Sequence, residues 1–302
     1  WMTPSAMLAD YVFPITNWLE HPQLYTQTFQ GSGNTAAIGE QVVTPLHERK
    51  SDFEFYRGLG LKLGQEKYWH DSLDQEWDWC LQPLLQELNL DSAREFATKQ
   101  RWWSPPAVEK RYETIDPKTS NPRGFATPTG KVELYSTILE KLGYDPLPGY
   151  QEPPETPISQ PELAKKYPFI LITGARFRPM HHSEHRQIRS LRKLYPFPTA
   201  EINPETAHRL GIGEGDWMVI ETPRGKIKQK AKLTSRILPR MVESQHGWWF
   251  PEEIGEDPIL FGVFESNVNV LTPDSEEFCD PATGAVTFGP LLCRVYPLKK
   301  YV

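Results

Sequence analysis

The chain has 302 residues, among them 29 prolines and 10 tryptophans, and a formal charge of −6. Proline at about twice its usual ~5% excludes a helix bundle, a coiled coil or a solenoid, because proline breaks helix interiors and central strands. The 14 Phe, 12 Tyr and 10 Trp exclude a disordered chain, and no run approaches the ~18 apolar residues of a membrane span.

Taken in order, residues 9–14, with Tyr11, Val12 and Phe13 ahead of Pro14, read as a short buried strand. A chain that opens on a core strand with no basic leader reads as a piece of a longer protein. Residues 31–39 are small and polar, which predicts a loop. Over 51–103 apolar residues recur at helical spacing, notably Trp77, Leu81, Leu84, Leu85 and Leu88. This predicts two or three short helices, with Pro83 as an interruption or a first-turn residue. Alternation over 131–135 predicts a strand, and a helix follows from about Ser136, with Thr137 and Glu140 spaced as a capping box and Gly143 as its stop. Pro146, Pro148, Pro153, Pro154, Pro157 and Pro161 then predict an extended connector. The expected division is therefore 1–145, a linker over 146–161, and a second domain over 162–302.

Beyond the linker the pattern turns to strands: 169–173, 199–202, 217–221, 226–233 and 240–243. Between the second and third of these, Asn203 as N-cap, Pro204 at the first helical position and Gly211 past the end define a helix over 204–210. Pro223, Arg224 and Gly225 between two strand patterns predict a hairpin turn. In 226–233 the lysines alternate with Ile227, Ala231 and Leu233, one wet and one dry strand face.

Charge is unevenly spread. Between Lys165 and Phe250 there are 16 Lys and Arg against 7 Asp and Glu, a local +9 that leaves −15 on the remainder. His181, His182, His185, His208 and His246 share this stretch, which is where an anionic ligand would bind. A basic segment inside an acidic chain with no known binding motif argues against nucleic acid. Cys80, Cys279 and Cys293 are too far apart for a disulfide framework or a metal pair.

Three motifs carry less than they suggest. His181 to His185 match H-x-x-E-H, in which two histidines one helical turn apart hold zinc, but Phe177 to Met180 begin no helix, and Arg176, Arg178 and Arg186 would oppose a cation. Gly124 to Lys131 resemble a phosphate loop only superficially, with five residues between the glycines and Val132 where Ser or Thr belongs. No G-x-G-x-x-G opens a helix after a strand. What remains is a strand ending at Gly174 that delivers Arg176, His181, His182, Ser183 and Arg186 in one loop. Glycine allows close backbone approach, arginine offers forked donors to phosphate, and His and Ser add shorter donors. That set suits a pyrophosphate-bearing ligand, with a plain polar surface loop as the alternative.

At these residues the chain resembles the C-terminal part of the molybdopterin oxidoreductases of the dimethyl sulfoxide reductase family. ITGARFRPMHHSEHRQI (172–188) is similar to the family's strand, TG-x-R turn and HS dipeptide. EINPETAHRLGIGEGDWMVIETPRGKIKQKAKLT (201–234) resembles its dinucleotide-binding domain, VESQHGWWFPE (242–252) its pterin-side loop, and ADYVFPITNWLE (9–20) and FATPTGKVELYS (125–136) its upstream segments. The details are most similar to the acetylene hydratase-like subgroup.

The resemblance implies an α+β, mainly β fold: a six-stranded double-psi β-barrel preceded by a partial α/β domain from the substrate side of the enzyme. It implies a bis-molybdopterin guanine dinucleotide with Mo or W, a 4Fe-4S cluster in a missing N-terminal region, and a fragment inert by itself. By position, Thr173, Gly174, Arg176, His182, Ser183 and Arg186 would contact phosphates and pterin, Asn203 the guanosine end, and Gln245, His246 and Asn269 a pterin. Asn203 is equally a helix cap, His246 equally a core histidine, and Trp248 and Trp249 read as packing. Gln187 departs from the family's usual Asn. No catalytic or metal-ligating residue is expected in this chain. The expected partners are the remaining domains of the enzyme and an iron–sulfur electron-transfer subunit, with no nucleic acid and no membrane insertion, in the cytoplasm. Rival readings are a non-redox hydratase with the same cofactor domain, a zinc hydrolase, and a stand-alone binding module.

Overall fold

The structure is a computed structural model that describes residues 1–27, 35–106, 108–147, 149–280, 283–286 and 289–298. Pro148 of the connector and residues 31–34 of the expected loop lie outside the described residues. In chain order the elements are α1 (Pro4–Met7), β1 (Gln23–Gln27), β2 (Thr35–Gly39), α2 (Asp52–Lys62), α3 (Leu73–Leu88), α4 (Ala93–Lys99) and β3 (Trp102–Trp103). They continue with α5 (Thr137–Lys141), α6 (Pro161–Lys166), β4 (Phe169–Ala175), α7 (Arg189–Arg192), β5 (Thr199–Ile202) and α8 (Pro204–Leu210). The last are β6 (Trp217–Glu221), β7 (Lys226–Leu233), β8 (Met241–Gln245), α9 (Val263–Ser266) and β9 (Leu291–Pro297).

Two compact units result, one of Tyr11–Glu133 and one of Trp1–Asp10 with Leu134–Val302. The division falls at 133/134 rather than across 146–161. The proline-rich stretch is not a solvated connector, because Glu155 and Thr156 are buried. Glu155 accepts from both terminal nitrogens of Arg224 at 2.8 Å and from the Leu292 amide at 2.9 Å, which fastens this stretch to the larger unit. Pro161 opens α6 as a first-turn proline, the one helical place where its missing N–H costs nothing.

In the Tyr11–Glu133 unit an antiparallel sheet β1–β2–β3 packs with α3 and α4 around Ala36, Ile38, Trp77, Leu81, Leu85, Ala93, Phe96 and Ala97. Ser51, Ser72 and Ser92 cap the three helices, with a full capping box between Ser51 and Glu54. Pro83 sits inside α3 on its exposed face, where the carbonyl it leaves unbonded meets water. Residues 35–39 of the expected loop form β2.

Two expected strands are absent. Residues 9–14 are irregular, with Tyr11 81% exposed; among the described residues no strand pairs with them beyond the Lys50 amide that donates to the Pro14 carbonyl, and apolar composition alone cannot supply one. Residues 131–135 are likewise irregular, with Val132 and Leu134 exposed. At α5 the cap is Ser136, whose side chain accepts from the Leu139 amide, rather than Thr137.

The larger unit is built on a closed barrel in the order β4-β8-β5-β7-β6-β9, which confirms the expected six strands. Two pairs, β4 with β8 and β5 with β7, run parallel, and the other four are antiparallel. Leu171, Ala200, Ile202, Met218, Ile220, Ile227, Ala231, Val242, Leu291 and Cys293 fill it. β7 alternates as expected, but Gln229 joins Ile227 and Ala231 on the buried face. α8 starts and stops where Asn203 and Gly211 predict.

Candidate functional site

Because β4 and β8 are parallel neighbours, their C-terminal loops leave the barrel side by side. Thr173 pairs with Ser244 and Ala175 with Gln245, and the register shifts between them. Gly174 occupies that bulge at φ +99°, a conformation that favours glycine. The two loops then touch at Gly247 (φ +69°), where a Cβ would stand 2.9 Å from the His182 carbonyl. The Trp249 indole donates to the Ser183 carbonyl at 2.7 Å. His182 Nδ1 lies 3.0 Å from His246 Nε2, and His246 Nδ1 lies 3.1 Å from the Ala175 carbonyl. Burial, followed by the charges of His182, Arg176 and Arg186 and opposed by the Ala175 bond, holds His246 below the usual histidine range.

Below this surface lies a buried cation. Arg186 is 2% exposed; it donates to the Glu184 carbonyl at 2.7 Å and the His246 carbonyl at 3.3 Å, and among the described residues no carboxylate pairs with it. Burial and the neighbouring Arg192 lower it to about 10. Its guanidinium lies 5.2 Å from the Trp248 ring centroid, and that of Arg192, tied to Glu252, lies 4.7 Å from the same ring. The indole face supplies part of the missing negative charge. Gln229 fixes the backbone underneath, donating to the Gln245 and Ser266 carbonyls and accepting from Ser244.

Polar groups without partners gather here. Among the described residues His185 Nδ1, Arg186 Nε, Gln187 Oε1, Arg192 Nη1, Gln245 Oε1 and Trp248 Nε1 are buried and unbonded. Each such atom costs about 1–3 kcal/mol, so the sequence keeps donors and acceptors here that the fold itself does not use. Arg176, His182 and Ser183 are exposed in front of them.

Of the residues singled out in the sequence, Thr173, Gly174, Arg176, His182, Ser183, Arg186, Gln245 and His246 therefore share one barrel end. Asn269 lies in a short 3-10 turn just after Ser266, which is bonded to Gln229 and Lys228. Asn203 does not join them. β5 runs antiparallel to β8, with Ile202 opposite Val242, so Asn203 follows β5 at the opposite end. Its side chain caps α8 through the Glu205 amide and donates to the Ile237 carbonyl at 2.9 Å, the helix-cap reading. Trp248 and Trp249 are buried, as packing requires. Residues 181–185 form turns, so the helical spacing that the zinc pattern needs does not arise. Sequence reasoning missed Arg192, Gln229 and Gly247. A polar residue at a dry position of β7 was the available signal for Gln229.

A closed barrel that presents arginine, histidine, serine and amide groups from two adjacent loops defines a binding domain for an anionic, hydrogen-bonding ligand. Over residues 169–289 the chain matches the family described as the molydopterin dinucleotide binding domain. It is 37% identical to acetylene hydratase of Syntrophotalea acetylenica over 303 residues, covering 98% of this chain and 39% of the relative. It is 28% identical to dimethyl sulfoxide/trimethylamine N-oxide reductase of Rhodobacter capsulatus, covering 90% of this chain and 34% of that protein. Among solved structures, acetylene hydratase from Pelobacter acetylenicus superposes with a TM-score of 0.85 at 34% identity, over 98% of this chain and 39% of that one. The chain thus spans well under half the length of these relatives.

Proposed function

We propose that this chain is the cofactor-holding C-terminal region of a molybdenum or tungsten enzyme that uses a bis-molybdopterin guanine dinucleotide. The observation that carries the reading is Arg186, a buried guanidinium that no described carboxylate pairs with, on the same barrel end as exposed Arg176 and the unbonded Gln245 amide oxygen. The donor set fits the ligand. Pyrophosphate calls for forked, permanently charged donors, which Arg176 and Arg186 provide, with Ser183 and His182 as shorter ones. Pterin edges call for paired donors and acceptors, and Gln245 and Asn269 carry amides. Gly174 leaves room for the backbone to approach, and Gln229 holds the Gln245 carbonyl in place. When bound, the cofactor supplies the metal centre for two-electron or hydration chemistry; the protein supplies binding, orientation and electrostatics.

On this reading the Tyr11–Glu133 unit is part of the substrate-side domains, and a 4Fe-4S cluster and the metal-ligating residue belong to the N-terminal part of the intact enzyme. An iron–sulfur subunit would exchange electrons with it, and the present chain alone would be inert. The test is Arg176→Ala in the full-length enzyme, which should lower pterin and metal content well below that of the parent; unchanged content would refute the assignment. A second reading, a non-redox hydratase, is supported by the 37% identity to acetylene hydratase. Reduction of an artificial dye by the intact enzyme supports redox chemistry; water addition without dye turnover supports the hydratase.

A further inference from the structure

The end of the barrel away from the Arg176 loop carries a second concentration of positive charge. β4 pairs on one side with β8, Ile170 opposite Met241, and on the other with β9, Phe169 opposite Cys293. Arg240, one residue before Met241, and Arg294, one after Cys293, therefore flank the start of β4 from both sides. The Ile170 amide fixes the first of them by donating to the Arg240 carbonyl at 2.8 Å. α6 runs into β4 through Tyr167 and Pro168, which brings Lys165 and Lys166 to the same place. The Thr206 hydroxyl ties α8 to the segment before β8 through the Pro239 carbonyl, and Arg209 follows Thr206 on the same face of that helix. Together these side chains line a cleft of about 550 Å³, a volume typical of small-molecule sites.

The charges in it are not balanced. Among the described residues no Asp or Glu lines the cleft. Lys165 pairs with Glu162 and Arg294 with Glu221, whereas no described carboxylate pairs with Lys166, Arg209 or Arg240. Cations of one sign gathered in a concavity repel one another and focus a positive potential into it. Helix dipoles account for part of the set, since Lys165, Lys166 and Arg209 stand in the last turns of α6 and α8. Arg240 and Arg294 lie on no helix, so the dipoles do not explain their meeting at the same cleft. Arg294 is held by Glu221 and by the Tyr167 and Tyr296 rings, 5.6 and 5.8 Å from its guanidinium, yet its Nε is buried and unbonded.

We infer that this cleft binds a phosphate chain, free or carried by a nucleotide. Arginine forks match phosphate oxygens two at a time, and lysine adds a mobile point charge. A single phosphate group carries at most about two negative charges near neutral pH, fewer than the unpaired cations present, so a chain of phosphates balances the cleft where a lone phosphate does not. Phe169, Leu210 and Val295 form an apolar wall beside the cations, against which the rest of a ligand would lie. Because the cleft lies at the other end of the barrel from the Arg176 loop, its residues take no part in holding pterin, and the inference is independent of the cofactor reading.

The experiment is calorimetric titration of the 302-residue chain with inorganic tripolyphosphate and, in parallel, with ATP, both without metal. It is repeated in an Arg176→Ala, Ser183→Ala variant, which weakens phosphate binding at the opposite end. That variant should still bind tripolyphosphate, and the affinity should fall as salt is raised. Adding Arg240→Gln and Lys166→Gln, both at exposed positions, should weaken binding by about a hundredfold, about tenfold for each charge-assisted contact removed, with the denaturation midpoint unchanged. Tighter binding of ATP than of tripolyphosphate identifies a nucleotide as the source of the chain; equal or weaker binding identifies a free one. Loss of all tripolyphosphate binding in the Arg176→Ala, Ser183→Ala variant, or an affinity that Arg240→Gln with Lys166→Gln leaves unchanged, overturns the inference.

Discussion

Arg186 concentrates what the site asks of single residues. A buried cation held by two carbonyls and an indole face is a poor contribution to stability, since an apolar side chain of similar volume often does as well. Arg186→Met should therefore leave the chemical denaturation midpoint of the chain equal to or above wild type, while pyrophosphate affinity falls by about tenfold, as the loss of one charge-assisted contact implies. A large drop in midpoint would show that Arg186 is a structural residue. His246 makes a second statement. Burial favours its neutral form, so the unfolded chain binds more protons than the folded one, and stability falls as pH drops through the ordinary histidine value of 6.5 and below. His246→Gln should flatten that acid limb of a stability-versus-pH curve; an unchanged slope would mean that the lowered His246 is not its source. The residue types at this end were legible because Arg, His and Ser crowd one loop after a glycine. Arg192, whose guanidinium shares the Trp248 ring, was not, since no local spacing announces a contact made across 56 residues.

At the scale of elements, legibility followed the strength of local signals. β5, α8, β6 and β7 were readable from alternation, from Asn203 and Gly211, and from the hairpin residues 223–225. Residues 9–14, an apolar run before a proline, and 131–135, which alternate, find no neighbouring strand among the described residues, and strand pairing is decided by the fold. β9 is a continuous apolar run ending in charged and aromatic residues, a pattern that periodicity cannot assign. The connector misled because Pro161 starts a helix and Glu155 is an anchor. Removing that anchor should matter: Glu155→Ala leaves Arg224 unpaired and the Leu292 amide unbonded, and should cost about 2–4 kcal/mol in denaturant unfolding. Gly247→Ala should cost about 1–3 kcal/mol, because it forces both a left-handed alanine and a Cβ against the His182 carbonyl. In the Tyr11–Glu133 unit Glu20 is held down to about 2, first by Arg49 and then by the Asn17 and Leu46 amides. That clasp contributes fully above the ordinary carboxylate value of 4.5 and is lost as pH falls toward 2.

For the whole molecule, the acidic average hid the informative quantity. The +9 of residues 165–250 divides between β7, whose lysines keep a barrel strand wet on its outer face, the cleft at the start of β4, and the loop that follows β4. Only the last fraction lies with the cluster of unbonded polar atoms. The barrel's parallel β4–β8 pair is what joins two loops some 60 residues apart into one surface, and it leaves Asn203 at the other end.

The most direct test compares these two ends in the full-length enzyme. Protein-bound pterin, released by acid oxidation and read by fluorescence, should fall sharply in an Arg176→Ala, Ser183→Ala double variant and remain at the parental level in Arg209→Ala, on α8 beyond Asn203. Equal pterin content in the double variant and the parent, or loss confined to Arg209→Ala, would contradict the placement of the cofactor at the β4–β8 loops.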